Sequence, residues 1–242
     1  MDRTEGLPLD APFGLAVKRP RQNRVTPFGT IEATHHKGTL MGNRGDLHAP
    51  DGTLGRQWRS RRWLSCVLDG NGWKAPMDTP GHYYPLFFHD EAVALAAGHR
   101  PCGECRPDAL AAFIAAWKAG HGFAVREWVS LQEIDRACHQ SRVIERECRR
   151  SLRPVELPEG VFVAAREIDR RPLLKFAGSF WPWQHGSYSE PIAQGVMPSK
   201  CVLLTPSSMV AALNAGYVAM VSSDLQRVAN YPLDGNRVTL NE

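Results

Sequence analysis

The chain has no unbroken apolar run approaching about 18 residues, so no segment of it reads as a membrane-spanning helix. Its opening, MDRTEGLPLDAPFGLAV, carries acidic side chains and no basic segment ahead of an apolar core, so no secretory signal is expected. Cysteine is sparse: six residues at irregular spacing make no disulfide framework in a chain of 242 residues. Internal repeats and low-complexity tracts are also missing. Neither sign of charge dominates, since 29 Lys and Arg against 25 Asp and Glu leave a net charge of +4. Together these absences predict a globular protein in a reducing, cytoplasmic setting with no membrane partner. The slight positive balance permits a polyanionic partner without requiring one.

What the chain does contain is most concentrated in GHRPCGECRPD, residues 98–108. Cys102 and Cys105 stand three positions apart, so one tight turn aims both sulfurs at a common point, as half of a tetrahedral metal site requires. Arg100 and Arg106 flank the pair, which favours thiolate over thiol and suits an anionic partner. A redox dithiol shares this spacing, but no thioredoxin-like βαβ pattern surrounds it.

The run FFHDEAVALAAGHRPCGECRPD, Phe87 to Asp108, resembles the metal-binding module of the bacterial adaptive-response DNA-repair protein Ada. The resemblance covers aromatic residues ending a strand, a short Ala-rich helix closed by Gly, and the R-P-C-x-x-C run. It implies a zinc site, an association with DNA rather than RNA, and a role in DNA repair or processing. Ada-type sites take two ligands from a close pair upstream, whereas this chain has the single cysteine Cys66. The implied ligand set is therefore Cys66, Cys102, Cys105 and a histidine: His48, with His82 and His89 as alternatives. Together with GNRGDLH, Cys66 and LPEGVFV, the run also resembles small bacterial proteins of unassigned function. That second resemblance implies one connected architecture and no activity.

Three further stretches carry chemistry. In RQWRSRRWLSCVLDG, Arg56, Arg59, Arg61 and Arg62 are interleaved with Trp58 and Trp63, a composition suited to phosphate contacts and base stacking. A basic hairpin whose tryptophans lie in the core, covered by arginine stems, has the same composition. In MGNRGDLHAPDG, glycines at 42 and 45 allow positive φ around Arg44, and Asp46 and His48 share a face. In SLQEIDRACHQSRV, Asp135 and His139 lie four apart on one helix face that Arg142 and Arg146 continue. A solvated, salt-bridged face is the plainer account of that spacing.

The pattern predicts an α+β fold. Residues 1–24 read as a basic, flexible tail and 25–153 as a β-rich metal-binding domain with helices. Residues 154–242 read as a smaller α+β domain. Asp90 caps a helix ending at Gly98, Pro107 opens the next, and Ser130 with Glu133 forms a capping box for a helix to about Arg150. Strands are expected at 161–164, 173–176, 202–204 and in YVAMVS, with Thr205 capping a late helix. Three functional readings remain open. One is a zinc-stabilised protein that binds nucleic acid through Arg56, Arg59, Arg61, Arg62, Trp58, Arg100 and Arg106. Another is a hydrolase or transferase acting on nucleic acid or nucleotide through Arg44, Asp46, His48, Asp135 and His139. The third is a metal-free interaction module.

Overall fold

The computed structural model describes residues 20–51, 53–69, 81–143 and 151–229, and within them the fold is α+β, with two sheets and five helices. The first sheet holds β1 (Gln22–Val25), β2 (Ile31–Ala33), β3 (Leu40–Asn43), β4 (Leu64–Val67), β5 (Leu86–Phe88) and β6 (Arg100–Pro101). Their spatial order is β2-β1-β5-β3-β4-β6, with β1 parallel to β5 and β6 parallel to β4. Alternation sets the faces: Leu86 and Phe88 of β5 point into the core, while Phe87 lies under the Arg24 guanidinium at 4.8 Å. Gly42 of β3 is required by close approach, because a Cβ there would stand 2.3 Å from Cε2 of Phe88.

The crossover from β5 to β6 is helix α1 (Glu91–Ala96), buried at all six positions, which is why Ala92–Ala96 are small or aliphatic and Glu91 is paired. Asp90 caps it by accepting from the Val93 amide at 3.0 Å, and Gly98 at φ +86° turns the chain out of it. Helix α2 (Pro107–Gly120) opens on proline and buries Leu110, Phe113, Ala116 and Trp117 on one face. Helix α3 (Leu131–Val143) has the full capping box: the Glu133 amide donates to Ser130 Oγ at 3.2 Å and the Ser130 amide to Glu133 Oε2 at 2.8 Å. The expected extension of α3 through Arg146 to Arg150 lies outside the described residues.

The second sheet is antiparallel throughout. It contains β7 (Ser151–Leu152), β8 (Phe162–Ala165), β9 (Asp169–Phe176), β10 (Ser179–Gln184), β11 (Ser187–Tyr188), β12 (Ile192–Ala193) and β13 (Cys201–Leu203). The order is β11-β10-β9-β8-β13-β7, with β12 beside β10. Helices α4 (Ser207–Asn214) and α5 (Ser223–Val228) follow. Helix α4 packs on α2 so closely that a Cβ on Gly120 would meet the Ala211 carbonyl oxygen at 2.2 Å. The two sheets fall on either side of residues 144–150, yet one apolar core joins Leu86, Phe88 and Val93 to Phe162, Leu174 and Met209.

Several expectations need correction. Gln22–Arg24 belong to β1 and not to a flexible tail; residues 1–19 lie outside the described chain. YVAMVS forms no strand. Its backbone instead bonds α1: the Glu91 amide donates to the Met220 carbonyl at 3.0 Å, and the Ser222 amide to Asp90 Oδ2 at 3.2 Å. Thr205 does not cap α4, because its hydroxyl accepts the Phe162 amide at 2.8 Å; Pro206 holds the cap position. Ser223–Val228 form α5, capped by Ser222, whose hydroxyl accepts the Leu225 amide. Among the described residues, no helix is long and apolar enough to cross a membrane.

Candidate metal centre and its basic surroundings

Cys66 sits on β4, and the β4–β6 pairing carries the second half of the site to it. The Cys102 amide donates to the Ser65 carbonyl at 3.0 Å, immediately after β6 ends. A turn closed by the Arg106 amide on the Cys102 carbonyl, also 3.0 Å, then swings Cys105 back just ahead of α2. As a result, the three sulfurs lie within 4.8 Å of one another, with Cys102 buried and the other two half-buried. These three cysteines can hold a metal ion. Zn–S bonds near 2.3 Å place tetrahedral sulfurs roughly 3.8 Å apart, a spacing this cluster accommodates.

The cluster's electrostatics suit thiolate ligands. Cys102 is lowered to about 4 by the hydrogen bond from the Cys66 thiol and by the backbone amides of Cys105 and Glu104, against the opposing effect of burial. Cys66 is pushed up, first as the donor in that bond and then by burial. Burial likewise raises Cys105, although the Val67 amide aimed at its sulfur opposes the shift. The cluster thus favours thiolate at Cys102, and a bound cation would displace the protons on its ligands.

No histidine, carboxylate or further cysteine among the described residues joins the group. His48, expected as the fourth ligand, turns its Nδ1 to Asp46 Oδ1 at 2.9 Å and packs its ring on Tyr84 with centroids 4.9 Å apart. Its Nε2 is buried without a partner. His82 is exposed, and His89 packs against Tyr188.

Arg100 and Arg106 do not face solvent and cannot meet phosphates as expected. Arg100 forms a bidentate pair with Asp135, at 2.7 and 2.9 Å, in the core. Arg106 donates to Glu91 Oε1 at 2.8 Å and to Ser65 Oγ at 2.9 Å. Glu91 also accepts from the Tyr217 hydroxyl at 2.7 Å and from the Met220 amide at 3.0 Å. Both arginines therefore lock the cysteine turn to its supports. No local sequence signal marks these pairs, because the partners lie on separate elements.

The remaining arginines divide in two. Arg56, Arg59, Arg61 and Arg62 are exposed on an irregular segment before β4, not on the alternative basic hairpin, with Trp58 exposed beside them. Arg44 is buried: its Nε donates to His99 Nε2 at 3.2 Å and its Nη1 to the Gly29 carbonyl at 3.3 Å. Trp63 lies in the core with the Arg44 and Arg142 guanidinium carbons 4.1 and 3.9 Å from its ring centre. His139 packs edge-on against Trp58 at 4.5 Å, and its titration is lowered by burial, then by Arg142 and Arg61.

The α3 face holding Asp135 and His139 is thus largely buried, not solvated. Asp135 is committed to Arg100, and no bond or ring contact joins His48 to His139 among the described residues. The proposed acid/base set is split between two places: Asp46 and His48 beside Tyr84, and His139 with Arg44 around Trp63. No family model, curated protein or solved structure matches the chain.

Proposed function

We propose that the protein associates with nucleic acid and uses a structural zinc ion to fix the first sheet. The juxtaposition of Cys66, Cys102 and Cys105 carries this reading. Three sulfur donors on a strand and an adjoining turn are soft, rigidly placed ligands of the kind zinc takes. The metal would tie β4 to the start of α2 in the manner of an Ada-type module. The segment leading into β4 then presents Arg56, Arg59, Arg61 and Arg62 with Trp58 to solvent, a phosphate-tracking and base-stacking set. DNA is the expected polymer, on the Ada-type resemblance, and repair or processing the expected setting.

Two measurements test this. Elemental analysis of the purified, reduced protein should find about one zinc per chain, lost in Cys102→Ser. Fluorescence anisotropy with a labelled single-stranded oligonucleotide should show binding whose log–log salt slope falls by about 0.7 for each phosphate contact removed among Arg56, Arg59, Arg61 and Arg62. Metal-free wild type would sink the zinc half. Binding that ignores both salt and the arginine substitutions would sink the nucleic-acid half.

A further inference from the structure

A cavity of about 380 Å³ opens between the two sheets. Arg44, Trp58, Trp63 and Arg142 line one side, and the Leu203–Ser207 link into α4 lines the other. No carboxylate lines it among the described residues. Arg142 is only 6% exposed. Its Nη1 donates to the Gly98 carbonyl at 2.7 Å, its Nη2 bonds the Arg61 carbonyl and lies 3.3 Å from His139 Nδ1, and its Nε is buried with no partner. Neutral carbonyls satisfy geometry but do not cancel charge; the Trp63 ring offsets a buried guanidinium only in part, and the nearby Asp135 carboxylate is already paired with Arg100. Burial accordingly pulls Arg142 down to about 9. Helix α4 opens on the same cavity at Pro206 and Ser207 with no side-chain cap, which adds the positive end of a helix dipole.

We propose that this cavity is a phosphoryl-anion site, in which the oxygens of a phosphate group lie between Arg142 and the first turn of α4. Trp58 and Trp63 supply the ring surface for whatever the phosphate carries. A free phosphate or mononucleotide and a phosphodiester within a strand present the same chemistry to such a site. The site shares Trp58 with the arginine segment but does not depend on the side chains of Arg56, Arg59, Arg61 and Arg62, and it stands even if those bind nothing.

Tryptophan fluorescence tests it, since two indoles line the cavity. Wild type, Arg142→Gln and Ser207→Asp would each be titrated with inorganic phosphate, 5′-dAMP and a short oligothymidylate. Aspartate at the first position of α4 suits the helix dipole but places a negative charge in the cavity. Thermal melts verify folding, and Ser207→Asp alone decides the matter if Arg142→Gln unfolds. The expected result is a saturable change in wild type, weakened about tenfold or more in each folded variant. Response to phosphate and 5′-dAMP identifies a free ligand; response to the oligomer alone identifies a strand phosphate. The oligomer response must persist when Arg56, Arg59, Arg61 and Arg62 are all glutamine, which separates the cavity from the exposed segment. Silence with all three probes, loss of the response in that quadruple variant, or undiminished binding by folded Ser207→Asp overturns the site.

Discussion

Arg106 Nη2 stands 2.8 Å from Glu91 Oε1, an ion pair buried on both sides that pins the cysteine turn to the first turn of α1. The same carboxylate receives Tyr217 and Met220, so three donors from two segments distant in sequence meet on two oxygens. Removing one partner of such a pair leaves a buried charge uncompensated. Glu91→Gln is expected to cost about 3 kcal/mol in urea unfolding, and adding Arg106→Met should restore part of it. A single-variant loss under about 1 kcal/mol would show that the pair does not anchor the turn.

Gly98 and Gly122 separate backbone strain from crowding. Both have positive φ, +86° and +78°, but a Cβ on Gly98 would lie 2.6 Å from Cδ of Arg142, whereas Gly122 has open space. Gly122→Ala should cost about 1 kcal/mol, the left-handed backbone penalty alone. Gly98→Ala should cost about 1–3 kcal/mol more, because Arg142 is held over Trp63. Equal losses in chemical denaturation would refute the crowding argument.

His99 should make the fold acid-sensitive. It is wholly buried, and burial, then Arg44 and Arg142, hold it well below its ordinary value of 6.5. The unfolded chain takes up this proton near 6.5 while the folded chain refuses it. The resulting stability is complete above that pH and is lost as pH falls below it, by about 1.4 kcal/mol per pH unit. Urea titrations between pH 7.5 and 5 (roughly the window set by that value) should show this slope, and His99→Gln should flatten it. An unchanged slope in the variant would place the acid sensitivity elsewhere.

Metal removal should act locally. With zinc stripped by a chelator, hydrogen exchange should rise in β4, β6 and the turn to α2, while β8, β9 and β10 keep their protection. Uniform loss across both sheets would mean that the metal governs the whole fold. No change in either would mean that it governs neither.

Local chemistry was legible in the sequence and tertiary pairing was not. The Asp90 cap with Gly98, the proline start of α2 and the Ser130–Glu133 box all depend on residues a few positions apart, and each stands where its spacing places it. The cysteine cluster was legible because a C-x-x-C turn fixes two of its sulfurs locally. Arg100 and Arg106 read as an electropositive rim because nothing near them in sequence announces Asp135 or Glu91. YVAMVS has a strand's composition, but its hydrogen bonds are taken by the start of α1. Arg142 read as one more charge on a helix face, and only the fold sets it against Trp63 and the cavity.

The parallel β4–β6 pairing imposes an order of events on a chain made from its N-terminus. Cys66 emerges from the ribosome well before Cys102 and Cys105, and β5 and α1, which lie between them in the chain, must be made before β4 and β6 can pair. A nascent chain ending short of Cys105 therefore offers at most two of the three sulfurs. On the proposed zinc reading, metal capture would come late in biogenesis, and the rate at which a refolding chain withdraws zinc from a coloured indicator should report closure of this crossover.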